Sequence, residues 1–237
     1  MSVTEKLRNN LNKIIYPDDV VPVTELGEYS DKEGFFPGYS GNFRIPNEKP
    51  RYKYLILGQD LNNREGFKKT TDEGNELKNR TFKNLEAIFK EAKIDLEECF
   101  LSNILMGIRN MEKNTGPSPG LKNREYVQSC LKFLEFQIKT IKPEVIITLG
   151  IIPIKLLTVF DQKLHSILNL SNSIQDTDLY TKGIISKFNF DKIPKLNLDI
   201  VFLTHPSYYA QNIRHRKKMD KTGREFEKYI LDKIKKH

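Results

Sequence analysis

The stretch YLILGQD, residues 54–60, indicates the fold class and raises the first question about function. Its four apolar residues are typical of a buried strand, and Gly58 marks the end of that strand. An uncharged Gln59 and an acidic Asp60 follow directly. Because a buried charge is costly unless it is paired or used, the position of Asp60 needs an explanation.

The rest of the chain alternates apolar strand patterns with helical patterns. Alternation of this kind predicts a single α/β domain whose central, mostly parallel four-stranded sheet is flanked by helices on both faces. The further strands are predicted at CFLSN (99–103), EVIITLG (144–150) and DIVFLTH (199–205). The helices are predicted at 81–92, at 125–143, at 151–160 and in the tail, where Phe226, Ile230 and Ile234 recur at four-residue spacing.

The length of 237 residues fits one domain, and no internal repeat divides it. We expect residues 1–50 to form an N-terminal helix and a covering segment, since 27–50 are rich in Gly, Pro and aromatic residues. Residues 161–198 are weakly patterned and are predicted to be an insertion. No apolar run approaches the ~20 residues of a membrane span, and the polar N-terminus lacks the apolar core of a signal peptide. We therefore expect a cytoplasmic protein that does not contact a membrane.

The charge balance and the cysteine count narrow the possible functions. With 39 basic and 31 acidic residues, the formal charge is +8. Such a charge favours a polyanionic partner, although a charge that serves only solubility explains it equally well. Two cysteines make neither a disulfide framework nor an iron–sulfur site, which takes four thiolates. No zinc signature is present, so we expect neither a metal nor a cofactor.

Polar residues follow the predicted strands at the places where the strands end. Gln59 and Asp60 end the first, Asn103 the second, Gly150 the third and His205 the fourth. Taken singly, each has an ordinary structural explanation as a helix cap, a turn residue or a packed histidine. Since ligands of parallel sheets bind at the carboxyl ends of the strands, their coincidence predicts a functional site at this edge.

The order of these segments resembles the uracil-DNA glycosylase superfamily. Its first motif, Gly-Gln-Asp-Pro-Tyr-His after an apolar strand, is similar to LILGQDLNN, and its last, His-Pro-Ser, is present in FLTHPSYYAQNIRHR. Between them, FLSNILMGIR matches a strand that ends in Asn and is followed by an Arg, which gives Asn103 and Arg109. TFKNL at 81–85 is similar to the family's Ser-Leu-Lys-Asn segment. The resemblance covers residues 50–216.

The resemblance implies roles for the residues at the strand ends. Asp60 would stabilise the positive charge that develops on the sugar, and His205 would stabilise the departing base as an anion. Asn103 would read the edge of uracil and reject cytosine, with Gln59 adding contacts around the base. The family flips the base out of the helix and stacks it on an aromatic ring. Phe67 is the candidate for that ring, and a packing role is the alternative.

The resemblance also predicts the surface that meets DNA. Ser207 would bind a phosphate, a tyrosine of the same loop would enter the duplex, and the basic run RHRKK would lie along the phosphates. The ordinary alternative for that run is a solvated helix start. The candidates for DNA contact are Ser207, Tyr208, Tyr209, Arg214, Arg216, Lys217 and Lys218.

Departures from the family pattern leave three hypotheses open. Leu61 and the pair Asn62-Asn63 replace the family's Pro-Tyr-His, whose Tyr excludes thymine. The first hypothesis is therefore a monomeric DNA glycosylase that removes uracil from single- or double-stranded DNA without a cofactor. The second is a glycosylase for another modified base. The third is a nucleic-acid-binding module that keeps the fold without catalysis.

Overall fold

The computed structural model describes residues 1–25, 34–38, 51–72, 80–112, 116–216 and 220–235. The strands in these ranges are β1 (Val20–Val21), β2 (Phe36–Pro37), β3 (Tyr54–Gly58), β4 (Cys99–Asn103), β5 (Ile108–Arg109), β6 (Val145–Leu149), β7 (Ile184–Asn189) and β8 (Asn197–Leu203). The helices are α1 (Val3–Leu11), α2 (Arg64–Asp72), α3 (Arg80–Glu91), α4 (Arg124–Ile141), α5 (Ile151–Phe160), α6 (Gln162–Leu168), α7 (Ile174–Thr181), α8 (Tyr209–Asn212) and α9 (Gly223–Ile234).

The central sheet has the strand order β2-β4-β3-β6-β8-β7 within the described ranges. Its four inner strands are parallel and are the four that the sequence predicts, so the α/β fold class is confirmed. The two outer strands, β2 and β7, are antiparallel to their neighbours and were not predicted. A separate two-stranded ribbon joins β1 to β5.

Alternating side chains of the inner strands divide the core into two layers. Leu55 and Leu57 of β3 belong to the layer that also contains buried residues of α1, α4, α5 and α6. Tyr54 and Ile56 point to the opposite layer, which α3 and α9 cover. Because both faces are buried, the inner strands are apolar throughout, as parallel strands commonly are.

The predicted helices agree with the observed ones to within a few residues. Helix α4 begins after Asn123, whose side chain accepts a hydrogen bond from Tyr126 N at 2.8 Å, and ends before Lys142, which adopts a left-handed conformation. In α9, Phe226, Ile230 and Ile234 are all buried, as the four-residue spacing predicts. No helix in the described ranges is long and apolar enough to span a membrane.

Two segments with weak sequence patterns carry regular structure. Residues 161–198 contain α6, α7 and the edge strand β7, which pairs with β8. Most of the predicted covering segment at 27–50 lies outside the described residues, and its described part contributes β2. β2 has only two residues, and β7 is only partly buried, so neither strand has the apolar run by which a buried strand is recognised.

The side chain of Gln137 generates a prediction about stability. It is fully buried on α4, and neither atom of its amide has a hydrogen-bond partner among the described residues. An unsatisfied buried polar group costs about 1–3 kcal/mol. We expect Gln137→Met, which keeps the volume, to raise the free energy of unfolding by about 1–2 kcal/mol in urea denaturation.

Gln162 on α6 is exposed and provides the control. Gln162→Met should change the free energy of unfolding by less than about 0.5 kcal/mol. A lower stability for Gln137→Met would mean that the buried amide has a stabilising partner, such as a trapped water.

Candidate active site at the carboxyl edge of the sheet

Asp60, which follows β3, is held in an ion pair with Arg109. Arg109 Nε lies 2.8 Å from Asp60 Oδ2, and Nη2 lies 3.2 Å from Oδ1, so the pair is bidentate. Each side chain exposes only 6% of its surface. Arg109 matches the family motif, but the sequence predicts no role for it, because nothing in the spacing shows that it reaches back to β3.

The remaining acceptor positions of the Asp60 carboxylate are also occupied. Gln59 Nε2 donates to Oδ2 at 3.0 Å, and the backbone N–H of Asn62 donates to Oδ1 at 3.1 Å. Asn62 has a φ of 71°, which turns the chain back over the carboxylate. The acid at the end of the strand is therefore paired, immobilised and largely shielded from water.

Gly58 makes room for the side chain of Asn103 on the neighbouring strand. The two residues are paired in the parallel register of β3 and β4. A Cβ at position 58 would lie 2.3 Å from Asn103 Oδ1. Gly58 therefore allows the carboxamide of Asn103 to lie beside the end of β3, where it is half-buried.

His205 begins a one-turn 3-10 helix, Pro206–Tyr208, and its ring is fixed by Ser207. The backbone N–H of Ser207 donates to His205 Nδ1 at 3.3 Å, and the hydroxyl of Ser207 lies 2.8 Å from the same atom. Because an amide N–H can only donate, Nδ1 is an acceptor, and the neutral ring carries its proton on Nε2. Burial lowers the pKa of His205, and the negative charge of Asp60 opposes that shift. At neutral pH, His205 therefore presents an uncharged Nε2–H donor.

Two asparagines and a glycine hold the turn that carries His205. Asn84 of α3 donates to the carbonyl of Pro206 at 2.7 Å, and Asn212 donates to the carbonyl of His205 at 3.2 Å. Gly150 has a φ of 86°, and a Cβ there would lie 3.1 Å from the Cβ of His205. The TFKNL segment thus contributes to the site by supporting the turn.

The strand order brings the predicted polar residues to one edge. Asn103 ends β4, Asp60 follows β3, Gly150 follows β6, and His205 follows β8, in that spatial order. Since neighbouring strands lie about 4.8 Å apart, the ends of β4 and β8 are separated by roughly 14 Å. Asn103 and His205 therefore lie at the two outer ends of the row of four parallel strands.

Phe67 is not part of this edge. Its ring is 4% exposed and packs in a small apolar cluster with Val23, Leu61 and Ile108. This burial argues against the predicted role of Phe67 as the ring that stacks on a flipped base. Leu61, which replaces the family's Pro, packs in the same cluster.

Two of the predicted DNA contacts are bonded to acidic side chains of the protein instead. Arg216 exposes 1% of its surface and pairs with Asp178 and Glu227, so its predicted contact with DNA is wrong. Tyr209 is half-buried and donates its hydroxyl to Glu227 at 3.0 Å, which argues against its insertion into a duplex. A basic run in a sequence does not reveal which of its members turns inward.

The other predicted DNA contacts stay predictions. Arg214 is exposed on the loop that follows α8, and Ser207 lies at the edge beside His205. The side chain of Tyr208 and residues 217–219, which include Lys217 and Lys218, lie outside the described part of the structure.

Both cysteines are buried in the core. Burial raises the pKa of both thiols, that of Cys130 to about 12. In the described ranges, no group of three or more His, Cys, Asp or Glu side chains is placed to hold a metal ion. The candidate functional site consists of the polar groups at the carboxyl edge of the sheet.

The fold and the edge together define an α/β protein with polar residues at the carboxyl ends of its parallel strands. A family model described as the Uracil DNA glycosylase superfamily matches residues 46–232, which is most of the chain. The chain belongs to this superfamily, as the resemblance predicts, and its members are in general hydrolytic DNA glycosylases. No curated protein matches the chain in a sequence search.

The ion pair between Asp60 and Arg109 can be tested by a double-mutant cycle. Because each single change leaves a buried partner unpaired, Asp60→Asn and Arg109→Met should each lower the free energy of unfolding by about 3–5 kcal/mol. The double variant leaves no uncompensated charge, so its loss should be smaller than the sum of the two by more than about 1 kcal/mol. Urea unfolding of the four proteins gives the coupling energy, and strictly additive losses would show that the pair does not act as a unit.

Proposed function

We propose that the protein is a DNA glycosylase that hydrolyses the N-glycosidic bond of uracil, or of a base that presents the same hydrogen-bonding edge. The observation that carries this proposal is the neutral imidazole of His205, whose Nε2–H is fixed at the edge that Asn103 and Asp60 share. Membership of the superfamily supports the reaction class.

His205 acts on the leaving group. When the N-glycosidic bond breaks, negative charge develops on the base and reaches its O2 atom. A neutral Nε2–H donor that is already oriented stabilises this charge without reorganisation. Ser207 contributes by holding Nδ1 as the acceptor, which directs the proton to Nε2.

Asn103 selects the base. Its carboxamide has an NH₂ group that donates and a carbonyl oxygen that accepts, which match O4 and N3–H of uracil, whereas cytosine presents the reverse pattern at these positions. The space left by Gly58 sets the place of this amide relative to β3.

Asp60 acts as a fixed anion and not as a general base. Its two oxygens accept four hydrogen bonds, from Arg109, Gln59 and Asn62, so the direct acceptor positions for a water proton are taken. The carboxylate still contributes negative potential near the sugar as positive charge develops there, and Arg109 reduces that potential. The chemistry that fits is one in which the base departs early and water attacks a cation that needs little activation.

DNA reaches this edge along exposed basic side chains. Lys83 lies on α3 next to Asn84, which contacts the His205 turn, and Arg214 follows that turn in the chain, in the 3-10 segment after α8. Both are exposed, and the net charge of +8 favours a polyanion. The target nucleotide must be flipped out of the stack to reach the polar residues at this edge.

A non-catalytic nucleic-acid-binding module is the second candidate, and one observation favours it. An unpaired acid facing DNA would oppose binding, so a pure binding module would have no use for Asp60, and this favours catalysis. In the structure, however, Arg109 neutralises Asp60 and its side chain is 6% exposed. This pairing removes the cost of the acid to a pure binder, so activity has to decide between the two.

An excision assay tests the proposed reaction. DNA that carries one uracil, single- or double-stranded, should be cleaved at that position by alkali after incubation with the protein. His205→Ala should lower the single-turnover rate at least about 100-fold, because one oxyanion donor is worth about 10²–10³ in rate. Asn103→Ala should lower kcat/KM about 100-fold, since two hydrogen bonds worth together about 3 kcal/mol are lost.

Lys139→Ala on the exposed part of α4 gives the control, as it changes one surface charge away from the strand ends. Uracil-DNA that is bound but left intact by the wild-type protein would contradict uracil excision. Release of another base from a panel of modified oligonucleotides would then indicate a different substrate, and release of none would favour the binding module.

The pKa of His205 makes a separate prediction about pH. The proposed reaction needs the neutral ring, and burial lowers its pKa below the ordinary 6.5. Activity should therefore persist as the pH falls below 6.5 and be lost only when it passes the lowered pKa. Asp60 favours the charged ring, so Asp60→Asn should lower the pKa of His205 further. Histidine NMR titration of the two proteins measures both values, and a higher pKa in Asp60→Asn would contradict the electrostatic coupling.

A further inference from the structure

A single buried carboxylate, that of Glu227 on α9, contacts both ends of the turn that carries His205. Glu227 is completely buried. Its Oε1 accepts from the backbone N–H of Thr204 at 2.7 Å, and its Oε2 accepts from the hydroxyl of Tyr209 at 3.0 Å. Thr204 directly precedes His205, and Tyr209 directly follows the 3-10 turn. The carboxylate therefore fixes the distance between the start and the end of the turn.

Arg216 and Asp178 hold this carboxylate in place. Arg216 Nη1 lies 2.6 Å from Glu227 Oε1, and its Nε and Nη2 lie 2.9 and 2.8 Å from the two oxygens of Asp178 on α7. Nη2 also donates to the carbonyl of Phe202 in β8 at 2.7 Å. Burial alone would lower the pKa of Arg216, but the carboxylates of Glu227 and Asp178 outweigh it and raise the pKa. The guanidinium is thus a permanent charge inside the protein.

Stability alone does not explain this arrangement. Buried ion pairs lose much of their attraction to desolvation, and apolar replacements of similar volume are often as stable. The network instead orients the turn, because Glu227 contacts Thr204 and Tyr209, at the two ends of the turn, and Arg216 contacts the carbonyl of Phe202 near the end of β8. A displacement of about 1 Å in a catalytic group can cost about 100-fold in rate.

We propose that Glu227 is a positioning residue for His205, with Tyr209 as its contact at the far end of the turn. The inference rests on the proposed function of His205 and adds the device that sets the place and tautomer of its ring. If the hydrogen bond between Glu227 and Tyr209 is lost, Ser207 can move away from Nδ1 of His205. The His205 ring then loses both its fixed tautomer and part of its burial.

Tyr209→Phe tests this inference with the least disturbance, because it removes one hydroxyl and keeps the ring. Single-turnover excision of uracil should slow about tenfold with KM within about twofold, as expected when a group is misplaced rather than lost. In histidine NMR, the signals of His205, assigned by their loss in His205→Gln, should show a mixture of tautomers. The pKa should move up toward its ordinary value, since the charge of Asp60 remains and part of the desolvation is lost.

Asp161→Ala is the control matched for stability. Asp161 is a buried carboxylate that accepts from the backbone N–H groups of Lys163, Leu164 and Asp191. It lies at the end of α5, about 15 Å along that helix from the carboxyl edge. Both variants should lower Tm by about 2–8 °C, but Asp161→Ala should leave the rate and the NMR signals of His205 unchanged.

Glu227→Gln is the conservative variant. Its amide oxygen can still accept from Thr204, and its NH₂ can donate to the Tyr209 hydroxyl. The contacts with both ends of the turn are therefore kept, while the negative charge of residue 227 is removed. We expect a rate within about threefold of wild type and an unchanged tautomer. Unaltered His205 signals in Tyr209→Phe would overturn the proposal, whatever the rate does. Failure of the wild-type protein to release any base would overturn the proposed function, while the NMR comparison would still decide the role of Glu227.

Discussion

The bidentate ion pair between Asp60 and Arg109 fixes the geometry on which the site depends. It connects the end of β3 to the segment that follows β4, and the backbone repeats the connection, because Arg109 N donates to the carbonyl of Asn62 at 2.8 Å. Asn103 ends β4, six residues before Arg109 in the chain and beside Gly58 in the sheet. Its position is therefore set on one side by Gly58 and on the other by the chain that leads to Arg109. Without the pair, a buried carboxylate and a buried guanidinium would both face a poorly solvating interior, which is costly.

A second buried carboxylate, that of Glu227, has the same role for the turn after β8. Glu227 fixes the turn after β8 through Thr204 and Tyr209, as Asp60 fixes the turn after β3 through the backbone of Asn62. An arginine holds each of them in turn, Arg109 for one and Arg216 for the other. The two loop segments that follow β3 and β8 are therefore held in place by charged hydrogen bonds in a low-dielectric interior, where such bonds are strongest.

The sequence predicts the inner strands and the residues at their ends because burial on both faces leaves continuous apolar runs that stop abruptly. It does not predict the partners of those residues. Arg216 lies in a basic run that is typical of a phosphate contact, yet it is buried, because it pairs with Asp178 of α7 and Glu227 of α9, neither of which belongs to the run. Phe67 follows Asp60 closely in sequence, but the chain turns at Asn62 and directs the ring into the core. Strand ends follow from local pattern, whereas pairing of buried charges is a property of the tertiary structure.

The two charged networks also constrain the chemistry. An acid whose oxygens are saturated by Arg109, Gln59 and the backbone of Asn62 cannot accept a proton without giving up an existing hydrogen bond. A neutral histidine held as an Nε2–H donor can stabilise a departing anion but is poorly placed to supply a full proton, since burial lowers its pKa. A site with these two properties favours a reaction in which charge separates before water is engaged, and it penalises one that requires a strong base. Under the proposed function, departure of an acidic leaving group such as uracil, whose anion is stabilised by resonance, fits the first case, whereas departure of a poorer leaving group does not.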